Sequence, residues 1–450
     1  MMPIIETHEE LDRLVPKVSG HRLFVAPILK DPFLHYKVNQ LSLLFIYDLT
    51  VDRHTIISID HSEGLKIENP NISKVLCAAK EVFVFNLKYL LESIACDHIY
   101  DANLVYYFLT NKSIDSEEFN TPVHDYFNQK CSNLKNLNYL LPIVKQHEKF
   151  YNIIQDNLSI FKSFEVSEAY LKYNNVIKTL SKIETSGMYV DENILKESFP
   201  NVTITNNFVY TEYNPYTTTG RPSNRFDSVN YAALNKETGV RKSFKSRFGN
   251  DGFLLQFDYD AYHIRLLGEL LGYDFPSKEN MHEYLGRYYF GKDKLTPEEY
   301  EQSKGITFKL LYGGIEKEFL EIPFFKLVDE FTKTNWKLYK DQKYLETPIY
   351  KRTLKNTFFT DMNSQKLLNY LIQSLEMEET MAILDTLTSF NKGFKSKIIL
   401  YTYDSVLIDF HKEDGGKYIK QCQNILECKG KYPVKIQAGY DYNNLKNVKV

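Results

Sequence analysis

Short apolar runs alternate along the chain with segments of helical period, and two of the junctions carry an aspartate. Phe253, Leu254, Leu255 and Phe257 form a β-compatible run, after which Ile264, Leu266, Leu267, Leu270 and Leu271 repeat at helical spacing. Asp258 sits at the change of period. Lys397 to Phe410 predicts strand, tight turn and strand, with Asp404 in the turn. Between them, Thr296 to Gly314 opens on Thr-Pro and closes on Gly-Gly, the start and stop signals of a helix. On that helix Lys304, Phe308 and Tyr312 recur every fourth residue, so one face carries a cation followed by two rings. Upstream, apolar runs at Arg22 to Ala26, Leu41 to Tyr47, Thr55 to Ile59 and Val82 to Phe85 predict strands with helices between and after them, an α/β pattern. A helix is expected from about Glu168 to Thr185, followed by a turn at Ser186-Gly187 and a short strand.

Composition bounds this picture. A chain of 450 residues, 43% of them hydrophobic, can bury the cores of two or three domains. No apolar run approaches the roughly 18 residues of a membrane span, and the start MMPIIETHEELDRL is too acidic for a secretory signal, so a soluble protein is expected. Cys77, Cys96, Cys131, Cys422 and Cys428 are scattered, which suits a reducing cytoplasm and indicates neither a disulfide framework nor a zinc site. A formal net charge of -3 does not advertise a polyanion binder. Nucleic-acid affinity would rest on a local cluster such as Arg221, Arg225, Arg241, Lys242, Lys245 and Arg247, which equally fits a solvated basic face.

The chemistry lies in the aspartates and the ringed helix face. Two carboxylates brought together at strand ends can hold a pair of Mg²⁺ ions suited to phosphoryl transfer. A cation suits a triphosphate and rings suit a base. Taken singly, an aspartate at a strand end is also a turn or cap residue, and rings at helical spacing also pack a core.

The ordered set of stretches resembles motifs A, B and C of the family A DNA polymerases, the DNA polymerase I family. DYxxxxxR is present as Asp258, Tyr259 and Arg265, KxxxFxxxYG as Lys304, Phe308, Tyr312 and Gly313, and the motif C aspartate as Asp404. TTTGRPSN (Thr217 to Asn224), VRKSF (Val240 to Phe244), His282, and the Asn369 and Gln373 pair resemble further family segments, so the likeness runs from about Tyr170 to the C-terminus. It implies a palm-and-fingers polymerase domain over residues 166–450, with palm at 166–268 and 355–450 and fingers at 269–354. Asp258 and Asp404 would bind two Mg²⁺ ions, Lys304 and His282 the phosphates, and Phe308, Tyr312, His263, Tyr259 and Arg265 the nucleotide or its surroundings. Arg221, Asn369, Gln373, Arg241 and Lys242 would contact DNA. The implied partners are primer-template DNA and dNTPs, with no membrane, and the implied location is the cytoplasm, that of a host if the chain is viral.

Residues 1–165 resemble the family's RNase H-like 3′-5′ exonuclease domain, through FNLKYLLESI and YDANLVYYFL. Its catalytic set is missing. Ala26, Pro27 and Ile28 stand where Asp-x-Glu belongs, Leu90 replaces an aspartate, no aspartate lies near Val144 to Tyr151, and Asp101 remains alone. A proofreading-dead scaffold is expected. Only about 25 residues separate Asp191 from the TTTGR segment, too few for the helices of a thumb, so a processivity factor or single-strand-binding protein would have to supply grip. His263 replaces a glutamate, Tyr300 an arginine, Gln365 another arginine, and Ser405 the glutamate after Asp404. These departures keep two alternatives open: a primer-making or gap-filling enzyme with relaxed sugar choice, and a non-catalytic subunit that binds primer-template junctions.

Overall fold

The computed structural model describes residues 4–31, 34–60, 67, 71–94, 96–112, 160–276 and 279–449. They divide into two compact units at Ser181 and Lys182. In the first, β1 (Ile4–Ile5), β2 (Arg22–Leu29), β3 (Leu41–Asp48), β4 (Arg53–Ser58), β5 (Glu81–Val84) and β6 (Ile99–Asp101) form one sheet in the order β1-β4-β3-β2-β5-β6. β2, β3 and β4 run antiparallel, and β5 and β6 run parallel to β2. The strands expected from the apolar runs are present and pair in one mixed sheet. The central strands are near-continuous apolar runs because both faces are covered: Leu23, Val25, Val82, Phe83 and Val84 are all buried.

The positions where the resemblance implies acidic residues are structural in this unit. Ala26, Pro27 and Ile28 lie within β2, where Pro27 stands opposite Leu44, and Leu90 is buried in a 3₁₀ turn. The stretch from Val144 to Tyr151 lies outside the described residues.

One expectation is corrected here. Cys77 and Cys96 are joined in a disulfide with their Cα atoms 5.5 Å apart. The helix Ile72–Ala78 and the chain after the 3₁₀ turn bring them together, a proximity that spacing along the sequence does not reveal. The contacts of the described residues place the helix that opens the expected 166–450 segment mostly with the first unit. In the first turns of the helix Glu168–Glu184 the Tyr170 hydroxyl donates to the Asp101 carbonyl at 2.7 Å and Asn174 donates to the Ile99 carbonyl at 3.0 Å. Its first turns therefore belong to the first unit.

The second unit is built on an antiparallel sheet of five strands in the order Lys397–Thr402, Ser405–His411, Gly252–Tyr259, Val434–Gly439 and Lys446–Asn447. The 27-residue helix Ser364–Phe390 is almost wholly buried along its middle. Helices Tyr262–Leu271, Met281–Phe290, Pro297–Gly313 and Pro323–Gln342 share a core that includes Ile264, Leu267, Met281, Leu310, Phe324 and Ile372. The helix carrying Lys304 starts where the sequence signals it: the Thr296 hydroxyl accepts from the Glu299 amide and the Glu299 carboxylate answers the Thr296 amide, a reciprocal capping box. Residues 191–217 hold one seven-residue helix, Glu192–Ser198, and the short strands Phe208–Val209 and Glu212–Asn214, with no pair of long helices.

Candidate active site

Asp258 lies one residue before the end of its strand, opposite Ser405 across the ladder. The next rung is a hydrogen bond from the Tyr259 amide to the Asp404 carbonyl at 2.9 Å, which fixes the two aspartates on adjoining strand ends. Two non-glycine residues beside them hold left-handed backbone, Ala261 at φ 50° and Tyr403 at φ 61°. Such conformations are sparsely populated and persist only where the surroundings enforce them. Here they turn the chain sharply into the helix after Asp258 and through the hairpin at Asp404.

Asp258 is half-buried, and its carboxyl is pushed up to about 6, first by burial and second by the Asp404 charge. Asp404 is exposed at its turn tip, yet the protein packed around its carboxyl also pushes it up. Asp258 has no hydrogen-bond partner among the described residues, and the Asp404 carboxylate meets its own amide. The like charge beside Asp258 is Asp404, and the one beside Asp404 is Glu376, so each carboxyl keeps a raised proton affinity with few donors to relieve it.

Beside this pair opens a cavity of about 320 Å³, lined by Asp404, Tyr259, His263, His282, Phe308 and Tyr312 among others. Phe308 is 50% exposed, unusual for a large apolar side chain, and stacks at 6.1 Å on Tyr312. The Tyr312 hydroxyl meets His263 Nδ1. His263 Nε2 lies 3.1 Å from the Glu376 carboxylate, which is fully buried and takes Arg221 Nε at 2.7 Å and Arg221 Nη2 at 3.1 Å. A chain Arg221, Glu376, His263, Tyr312 thus lines one wall, with the Arg221 guanidinium also stacked 3.8 Å above the Tyr403 ring. His282 is buried, and that burial above all pushes its imidazole down to about 4. Its Nδ1 has no hydrogen-bond partner among the described residues.

The chain superposes on the POL domain of Pol1 from M. smegmatis, solved in complex with DNA primer-template and dNTP, with a TM-score of 0.68, 14% identity, and coverage of 98% of this chain and 99% of that one. The fold is that of a DNA polymerase I polymerase domain. In sequence it is 23% identical over 231 residues to the DNA polymerase of Bacillus phage SP01. That match takes in 43% of this chain and 25% of the phage polymerase, so the chain spans about a quarter of the curated relative's length. No family model matches.

On this polymerase fold the expected site residues separate into three groups. Asp404, Tyr259, His263, His282, Phe308, Tyr312 and Arg221 line the cavity, with Asp258 beside it. Lys304 stands one turn from Phe308, its ammonium 2.7 Å from Glu301 and 4.4 Å from the Tyr300 ring centre. The rest are engaged in support. Arg265 is buried and donates to the Asp260 and Glu279 carbonyls at 3.0 and 2.8 Å, so it holds the start of its helix and does not line the cavity. Asn369 donates to the Tyr312 carbonyl at 3.4 Å, one of the open carbonyls at a helix end. Gln373 accepts from the Thr219 hydroxyl at 3.3 Å, and Arg241 donates to the Leu234 carbonyl at 2.8 Å.

Half of the basic cluster is neutralised. Arg221 pairs with Glu376, Lys245 with Asp191 and Arg247 with Asp409, while Arg225 and Lys242 are exposed. The residue that sequence reasoning missed is Glu376. Its one signal is a position three residues after Gln373 on the same helix, where i and i+3 share a face.

Proposed function

We propose that the chain is a template-directed DNA polymerase that adds deoxynucleotides to a primer 3′-OH by phosphoryl transfer, without proofreading. The observation that carries this reading is the meeting of two under-partnered carboxylates with a cavity walled by Phe308, Tyr312, His263 and His282 on a polymerase fold. The carboxylate pair fits divalent metal. Its members lie on adjoining strand ends with raised proton affinity and few donors, and no group of three metal-ligating side chains gathers among the described residues. A hard cation held by one or two carboxylates takes its remaining ligands from substrate phosphates and water, which is the habit of Mg²⁺. Bound there, two such ions would activate the attacking oxygen and stabilise the leaving one.

The chain's own residues do the rest. Asp258 and Asp404 supply the fixed negative charge. Lys304 meets the phosphates as a point charge when it exchanges Glu301 for them. Phe308 and Tyr312 present stacked faces to the sugar and base, and His282 offers a neutral polar edge. Primer-template DNA and dNTPs are the partners, and the absence of long helices over residues 191–217 favours grip supplied by another protein. His263 favours one second reading, relaxed sugar choice.

Primer extension with Mg²⁺, dNTPs and rNTPs in parallel tests both. Extension with dNTPs alone that vanishes in Asp404→Ala supports the polymerase with sugar selection intact. Extension with both sugars favours the second reading. Primer-template binding with no extension at any protein concentration overturns the catalytic assignment.

A further inference from the structure

The phosphate end of the cavity is short of cations. His282 is neutral near pH 7, Tyr300 is a phenol where the resemblance implies an arginine, and Lys304 is already paired with Glu301. Lys435 lies outside every motif and is the cross-strand partner of Asp258. Residues directly opposed on antiparallel strands project from the same face with Cβ atoms about 5 Å apart, so its stem rises beside the Asp258 carboxylate. The ammonium reaches Asp260 Oδ1 at 2.7 Å, which uses one of its three donors.

Asp260 is shared. Arg265 Nη2 stands 3.5 Å from its other oxygen, so one carboxylate is divided between two cations. Arg265 is not available to an incoming group, because it is 5% exposed and tied to two carbonyls. The Lys435 side chain is 55% exposed. It is the cation that can turn to an incoming anion.

We propose that Lys435 binds the triphosphate of the incoming nucleotide, together with Lys304, from the strand side of the carboxylate pair. The assignment rests on the nucleotide reading of the cavity. A triphosphate drawn to Asp258 and Asp404 through divalent cations would lie along the face from which Lys435 projects. A charge-assisted contact from the two remaining N–H donors then replaces water there.

The test uses the full chain with Lys435→Ala and Lys435→Arg, and two readouts: calorimetric binding of inorganic tripolyphosphate with Mg²⁺, and the KM for dNTP in primer extension. Lys435→Ala is expected to weaken tripolyphosphate about tenfold and raise KM by a similar factor, with kcat within about twofold and an unchanged melting temperature. Lys435→Arg should recover most of both. Unchanged tripolyphosphate affinity in Lys435→Ala overturns the proposal. So does an equal loss in both variants with a lowered melting temperature, the mark of a purely structural pair with Asp260. If the wild-type chain fails to extend primers while Lys435→Ala still weakens tripolyphosphate, the polymerase reading falls and the phosphate site stands.

Discussion

Asp101 closes β6 in the first unit, and Asp258 lies near the end of the strand Gly252–Tyr259 in the second. The Asp101 carboxylate accepts from the Leu104 amide at 3.2 Å, which caps a helix, and from the Leu87 amide at 3.0 Å, and its own amide donates to Asn174. Asp258 has no such donors, sits beside a second carboxylate, and is pushed up to about 6. Both are acidic residues at strand ends in the sequence. The difference is in where the backbone donors go: a carboxylate whose oxygens are filled by amides is part of the fold, and one left under-filled next to a like charge keeps a raised proton affinity that the fold does not relieve.

The largest expected effect breaks the comparison at its functional end. Asp258→Asn or Asp404→Asn should lower primer extension by roughly 10³-fold or more, since each removes charge from the carboxylate pair beside the cavity. The same variants should melt no lower than the parent chain near pH 7.5, because each relieves like-charge repulsion. Rapid-quench extension alongside thermal melting reads both. A variant that loses extension only because it melts early would place Asp258 with Asp101 as a structural residue.

Next in size is the reverse case. Asp101→Ala leaves the Leu87 and Leu104 amides without their acceptor and removes a helix cap, at a cost of about 2–4 kcal/mol. Chemical denaturation measures it. Nucleotide binding by the second unit should not change.

What the sequence made legible divides along the same line. The switch of period at Asp258, the hairpin at Asp404 and the Thr296 cap are local signals, each written within about ten residues, and the structure has them where the pattern indicates. The contacts that decide roles are long-range. Arg221 and Glu376 are 155 residues apart, and Glu376 is followed closely by Glu378 and Glu379, so in sequence it looks like part of a charged helix face. Instead it is fully buried. Arg221, Lys245 and Arg247 read as a basic patch because the acidic partners that neutralise them are scattered along the chain. The place of the helix Glu168–Glu184 has the same origin, since Tyr170 and Asn174 declare their allegiance only through Asp101 and Ile99.

A pH series sharpens the contrast without touching the fold. The folded Asp258 carboxyl titrates at about 6 against an ordinary 3.8, so the folded chain holds its proton more tightly than the unfolded chain. That stabilisation is complete below the unfolded value and is lost as pH rises through about 6. Full burial would make the loss about 3 kcal/mol, and the solvent that reaches a half-buried group reduces it to roughly 1–2 kcal/mol. Metal-free melting from pH 5 to 7.5 should show this decline in the wild type and a flatter profile in Asp258→Asn.

Glu376 is the intermediate case and carries the smallest expected effect. Unlike Asp101 it is approached by side chains, Arg221 and His263, and not by backbone amides, and like Asp404 it lines the cavity. Its carboxylate lies 3.1 Å from His263 Nε2, and the other ring nitrogen of His263 meets the Tyr312 hydroxyl, so its influence on a nucleotide passes through the orientation of those two rings. Glu376→Gln keeps the shape and weakens the grip on His263 and Arg221. The expected result is a change of about tenfold, near 1.4 kcal/mol, in the preference for deoxy- over ribonucleotides, with Glu376→Asp closer to the parent. A purely structural carboxylate would instead lower stability and overall rate and leave the ratio of the two sugars where it was.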